Sequence, residues 1–428
     1  MEVQIMKKIL SLIMALVLSI GLFGCGASNS GAPEDNYVPP LQVGYGRVNI
    51  SPEPGIPLSG YSNSSSRLCE TVSEELYATC IALTDNTGNT VLVYHLDLGG
   101  VKEKVFTPIR EQIAEVTGVP FEQVLLSATH THSGPDTENL LSRSYTQKLD
   151  DLMLEAAQTA MADRKAATIQ VAEAYAQDIN WIRYYNYSDG SWGSGTLPAG
   201  AKRVSHWRTD PDNQLQMIRF VREDAKDVFL ANWQGHPHRE GGDDKLNASS
   251  DIVGAMRREL EARDEDALFA YFSGASGNIN NHSYIDGVTT TANYEDHGKA
   301  LVKYMVNAEF TPAEIAPIQL IYRVEQLTSS KDSNKKIDFP VCVFSIGEIA
   351  FAFAPYEMFD TSGMEIKENS GFKTTFIATY SNAHLGYLPT EDVFEADTSY
   401  EARITKVQKG SAEHMVEVYL EMFSQLAK

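Results

Sequence analysis

The sequence is poor in cysteine, tryptophan and positive charge: it holds four Cys, four Trp and 35 Lys plus Arg against 57 Asp plus Glu. The shortage of basic side chains leaves a net charge of −22 and excludes nucleic acid as a natural partner, because Lys and Arg are what hold a phosphate backbone. The same charge is repelled by anionic lipid headgroups, so a basic patch cannot be what keeps the chain at a membrane. Four cysteines cannot staple 428 residues. The fold must rest on an apolar interior, and a 43% hydrophobic composition supplies one. No repeat period of the kind that builds solenoids recurs.

At the N-terminus, "MKKILSLIMALVLSIGLFGC" sets Lys7 and Lys8 before an uncharged, mostly apolar segment from Ile9 to Phe23. That run is shorter than the roughly 20 residues a spanning helix needs and ends in small residues, which reads as an export signal over 1–24. "LFGC" resembles the lipobox of bacterial lipoproteins, which implies lipidation at Cys25. The Gly-, Ser- and Pro-rich stretch that follows reads as a flexible tether over 25–40. A single domain over 41–428 is expected. The implied location is extracytoplasmic, held to the membrane by the lipid anchor, or secreted if the anchor is not added. With Cys25 so committed, Cys69, Cys80 and Cys342 allow at most one disulfide; a Cys69–Cys80 bridge and buried free thiols both remain open.

Along that domain, apolar runs alternate with amphipathic stretches. "LYATCIALTDNTGNTVLVYHLDLGG" predicts a hairpin that ends at Asp97, and helices are expected at Thr107 to Val116, Ser144 to Arg164, Asp251 to Arg263 and Ser411 to Leu426. The aromatic, Gly-rich "WIRYYNYSDGSWGSG" is expected to be a long loop outside the core. Strands interleaved with helices argue an α/β fold, one large catalytic domain with mixed β-sheets flanked by helices.

Five apolar runs end in segments bearing His, Asn, Glu or Tyr, and strand ends are where α/β folds build their sites. "VLLSATHTHSGPD" delivers His130 and His132, and "DVFLANWQGHPH" delivers His236 and His238. "ALFAYFSGASGNINNHS" delivers Asn278, Asn280 and Asn281, "PYEMF" carries Glu357, and "SNAHLGYLPT" carries His384 and Tyr387. Imidazole is a common zinc ligand, and a catalytic zinc needs three or four protein ligands with a position left for water. His130 and His132 can serve as two ligands, or as one ligand and a neighbour that handles protons; His236 and Glu357 are natural further ligands.

These motifs resemble, in order, those of the neutral and alkaline non-lysosomal ceramidases. "THTHSGP", "NWQGHP", "APYEMF" and "SNAHLGYLPTEDVFE" carry the likeness, which extends from about Gly44 to Tyr400. The resemblance implies zinc held by His130, His236, Glu357 and Tyr387, with His132 handling protons at the reacting centre. It further implies Arg183 beside the scissile amide and Tyr400 as a second active-site tyrosine. Asp251, in "NASSDIVG", corresponds to a residue that orients a ligand, or else caps the helix that begins there.

Two departures accompany the likeness. The family's Gly-Asp-x-Ser-Pro-Asn is "GNINNH" here, so Asn280 stands at the serine and cannot form an acyl-enzyme. The chain is also too short to add the family's C-terminal immunoglobulin-like domain. The expected activity is therefore zinc-dependent hydrolysis of an N-acyl amide, ceramide or a related N-acyl lipid, with Tyr400, Arg183 or the Asn280 amide donating to the oxyanion. The rivals are a non-catalytic ligand- or metal-binding surface lipoprotein, and a hydrolase of another ester or amide.

Overall fold

The computed structural model describes residues 39–61, 64–238 and 245–426. The expected export signal, Cys25 and all but the end of the tether lie outside them. Among the described residues no helix is long and apolar enough to cross a membrane.

Two sheets face each other. Strands β1 (Leu41–Asn49), β2 (Tyr77–Asp85), β3 (Thr90–Leu96), β4 (Val124–Ala128), β5 (Lys165–Tyr175), β6 (Gln214–Arg222), β7 (Asp227–Trp233) and β8 (Ala267–Ser273) run in the spatial order β8-β7-β6-β5-β1-β2-β3-β4. The second sheet has the order β9 (Gln319–Thr328), β10 (Lys336–Ile346), β11 (Ile349–Phe353) and β12 (Thr374–Ala378). The pairs β3/β4, β7/β8 and β11/β12 are parallel and the other neighbours antiparallel, so both sheets are mixed.

The sequence dictates this layering through strands that are apolar on both faces. In β2, Ile81 and Leu83 join Phe344, Phe351 and Phe376 between the sheets, while Ala78, Cys80 and Ala82 face outward onto helices. Helices α1 (Glu103–Thr117), α2 (Arg143–Ala162), α3 (Asp251–Arg263) and α4 (Tyr294–Asn307) cover the outer side of the first sheet. Helix α5 (Asp360–Asn369) contributes Ile366 to the core outside the second sheet, α6 (Tyr400–Ile404) is a short turn of helix, and α7 (Ser411–Leu426) covers that sheet with Met415, Tyr419, Met422 and Phe423. The result is four layers, helix, sheet, sheet, helix, with the expected hairpin closed by Asp85, whose Oδ1 accepts the N–H groups of Thr87 and Asn89.

Helix α2 lies directly on β1 because the strand offers glycines there. A Cβ at Gly44 would come to 1.8 Å from the Ala160 carbonyl oxygen, and one at Gly46 to 2.1 Å from that of Ala156. Gly46→Val is expected to lower unfolding stability by about 1–3 kcal/mol or more, as overpacking does. Urea unfolding checks this, and unchanged stability would rule out the close approach.

One sequence expectation is corrected. The segment around 181–195 is not a loop outside the core: Tyr184, Tyr185 and Tyr187 are buried, and Tyr185–Tyr187 pairs with Trp192–Gly193 and Arg203–His206 in a small sheet. Two of its phenols find partners, Tyr187 donating to the Gly193 carbonyl at 2.8 Å and Tyr184 to Glu401 at 2.7 Å, which makes the burial of those two tolerable. Helices α4 and α5 and strand β9 were not anticipated. Cys69, Cys80 and Cys342 are buried free thiols, so no disulfide joins Cys69 to Cys80.

Candidate metal centre

The carboxyl ends of the three parallel pairs meet. The Ala128 N–H donates to the Tyr380 carbonyl at 3.3 Å and the Thr379 N–H to that of Ser273 at 2.9 Å, joining the exits of β4, β12 and β8. The chain turns sharply at these exits: His130, Tyr380 and Asn382 hold φ of 64°, 55° and 61°, values uncommon for any residue with a Cβ. Gly60 (φ 100°) lies against His132, where a Cβ would come within 2.4 Å of that residue's Cα.

Into this junction the exits send three imidazoles. His132 Nε2 is 3.3 Å from His130 Nε2 and 3.1 Å from His236 Nε2. Two carboxylate contacts complete the cluster: Glu357 lies 3.5 Å from His130 Nε2 through Oε2 and 3.4 Å from His384 Nε2 through Oε1. A short parallel pairing sets Glu357 opposite Tyr387, and the Tyr387 and Tyr400 rings meet edge to face at 5.9 Å.

The electrostatics suit a cation. Burial, reinforced by neighbouring imidazoles, holds His132 and His236 well below the usual histidine range, and burial brings His384 to about 4, so these rings are neutral at pH 7. Burial alone would raise the Glu357 carboxyl, but His130 and His384 outweigh it and hold the group well below its usual range. Burial, and after it the Glu357 charge, lifts the Tyr387 phenol well above 10. Buried Glu357 Oε2 receives no hydrogen bond. Nitrogens of a tetrahedral zinc site, each about 2.0–2.1 Å from the ion, stand about 3.3 Å apart, close to the spacings here. The histidine cluster can therefore hold a metal ion.

Distances treat the three histidines alike; their second nitrogens do not. His130 Nδ1 donates to the Gly99 carbonyl at 2.7 Å and His236 Nδ1 to that of Ser276 at 3.3 Å, the backing a metal-binding imidazole usually has. His132 Nδ1 is buried with no partner.

The remaining sequence candidates fall nearby or apart. Arg183 pairs with Glu401 at 3.0 Å and lies over the Tyr400 ring at 5.5 Å. Asn280 pairs with Trp181 on a short strand. Asp251 is the first residue of α3 and its Oδ1 accepts the adjacent Ile252 N–H; the N-cap position is Ser250, which makes no side-chain capping bond. Two clefts open on the centre. One of about 330 Å³ is lined by His130, His132, Glu357, His384, Lys102 and Lys406, among others. The other, about 390 Å³, is lined by His132, His236, Arg183, Asn280, Tyr387 and Tyr400, among others.

Sequence reasoning did not assign roles to Tyr380, His384, Asn281 or Glu401. Tyr380 stacks on the His130 ring at 4.0 Å, and the Asn281 side chain clamps the His236 backbone, accepting from its N–H at 3.2 Å and donating to its carbonyl at 2.5 Å. His384 alone had a signal, an imidazole inside the Ser-Asn…Tyr motif.

No protein-family model and no curated protein matches the sequence. Solved structures do. Over 91% of this chain and 75% of its own length, the neutral ceramidase from Pseudomonas aeruginosa superposes with a TM-score of 0.74 at 16% identity. A ceramidase complexed with C2 matches with a TM-score of 0.75 at 15% identity, over 91% of this chain and 76% of that one. The mixed sheets flanked by helices, with the histidine cluster at their joined ends, therefore have the neutral ceramidase fold.

Proposed function

We propose that this chain is a zinc-dependent amidohydrolase that cleaves an N-acyl amide, of ceramide or a related N-acyl lipid, into a fatty acid and an amine. The observation that carries the reading is the meeting of three imidazole Nε2 atoms with an undonated carboxylate oxygen at the mouth of a cleft.

His130, His236, Glu357 and Tyr387 would hold the zinc, which when bound supplies a Lewis acid and a nucleophile available at neutral pH. His132, whose Nδ1 is not tied to the backbone, takes up the proton released as water adds to the acyl carbon and passes it to the leaving amine. Tyr400, Arg183 and the Asn280 amide share the adjoining cleft and donate to the developing oxyanion, where one donor contributes roughly 3 kcal/mol. No step requires an acyl-enzyme, which fits Asn280 at the position of the ceramidase serine. The sequence "MKKILSLIMALVLSIGLFGC" supports an extracytoplasmic, Cys25-anchored setting for this chemistry.

Chelation followed by readdition of single metals tests the reading. Hydrolysis across a panel of N-acyl amides is expected to fall to background on chelation and to return with zinc. Full activity in metal-free protein would overturn it.

A further inference from the structure

The cleft of about 390 Å³ holds a cation that the proposed hydrolysis does not use. Arg203 lies on the strand Arg203–His206, with its guanidinium carbon 5.1 Å from the Tyr185 ring centroid and 5.4 Å from that of Tyr284. Both distances lie within cation–π range. Its Nε is buried with no hydrogen-bond partner, and no carboxylate among the described residues pairs with it.

Other half-buried or buried arginines here have acceptors: Arg183, Arg208, Arg222 and Arg257 meet the carboxylates of Glu401, Asp360, Asp163 and Asp97, and Arg110 donates to the Val124 and Phe121 carbonyls. The cleft offers Arg203 no carboxylate, since no Asp or Glu is among the described residues that line it. Aliphatic side chains are absent from that lining as well, so it does not suit an acyl chain.

We infer that Arg203 receives an anionic group on the amine portion of the substrate, which makes the preferred substrate an N-acyl amino acid or N-acyl aminosulfonate instead of a neutral N-acyl alcohol amine. This rests on the amidohydrolase reading above. Two tyrosine rings lie within cation–π range of the guanidinium, and its planar fork of N–H donors can meet a carboxylate or sulfonate through paired charge-assisted hydrogen bonds. A neutral head group would leave the same cation partly desolvated with no counter-charge. His132 borders the same cleft, which puts the anion on the side where the leaving amine takes its proton.

The test measures binding apart from turnover. N-(octylsulfonyl)glycine, which the enzyme cannot hydrolyse, and its methyl ester are titrated calorimetrically into the zinc-loaded full chain and into Arg203→Gln and Arg203→Lys. The acid is expected to bind at least about tenfold more tightly than the ester, the worth of a hydrogen bond to a charged group. Arg203→Gln should abolish that preference and Arg203→Lys restore part of it. Hydrolysis of N-octanoylglycine compared with N-octanoyltaurine then separates carboxylate from sulfonate. Equal binding of acid and ester by the unaltered chain, or an equal loss of both in Arg203→Gln, would overturn the inference. If amides are hydrolysed without a charge preference, only this inference falls. If the Arg203-dependent preference holds while no amide is hydrolysed with any metal, the anion site stands and the amidohydrolase reading falls.

Discussion

His130→Ala is expected to lose both bound zinc and measurable amide hydrolysis, whereas His132→Ala keeps its zinc and loses about 10²–10⁴-fold in kcat, the range for a positioned proton carrier. The two rings sit 3.3 Å apart at Nε2, so proximity gives no reason to expect different outcomes. The difference lies behind them. The Gly99 carbonyl fixes the His130 tautomer with Nε2 as the lone-pair face and holds the ring in place, and Tyr380 stacks flat against it. His132 has no such backing, and a ring not committed at Nδ1 can change protonation state without breaking a buried hydrogen bond. Metal content by mass spectrometry together with kcat checks the pair. Loss of metal in His132→Ala as complete as in His130→Ala would make His132 a third ligand, and retained metal with full activity in His130→Ala would remove the centre altogether.

Asp97→Asn is expected to destabilise the fold by about 3–5 kcal/mol, the cost of breaking a buried ion pair from one side. Asp97 follows β3 directly, is fully buried, and accepts from Arg257 at 2.8 Å, from His95 Nε2 at 3.0 Å and from the Tyr77 N–H at 2.9 Å. His95 is neutral: burial lowers its pKa, and its Nδ1 accepts the Tyr271 N–H at 3.2 Å. Removing the carboxylate charge leaves the Arg257 cation buried without a counter-ion.

The pH dependence has a definite sign. Burial would raise the Asp97 carboxyl, but Arg257 and then His95 outweigh it, so its folded pKa lies below the unfolded value of about 3.9. Its stabilisation is therefore fully present above about pH 4 and is lost as pH falls through the lower folded value. Urea unfolding of the unaltered chain and Asp97→Asn should differ most at pH 7 and converge as pH falls below about 4 and through the lower folded value. A difference that stays constant with pH would reject the charge-based account. Activity is expected to fall as well, since Asp97 lies two residues before Gly99, whose carbonyl holds His130.

Several features were legible because they are local. Helix α3 begins at Asp251 and α7 ends at Leu426 as expected, since apolar spacing is written in neighbouring residues. The strand exits bearing His130, His236, Asn280, Glu357 and Tyr387 were visible for the same reason: each is an apolar run followed by polar residues. The burial of Tyr184 was not, because the composition around it is that of a loop and the carboxylate that accepts from its phenol, Glu401, lies far along the chain.

The sequence by itself determined the donors, the strands that carry them and the acidic surface around them. Only the tertiary structure decided which donors meet. His132 and His236 are separated by 104 residues, and no local period relates them. Their contact follows from two parallel strand pairs at opposite ends of the first sheet whose carboxyl ends are drawn together. The same long-range packing gave His130 and His236 their backbone acceptors, left His132 Nδ1 without one, and left Arg203 beside two tyrosines with no carboxylate among the described residues.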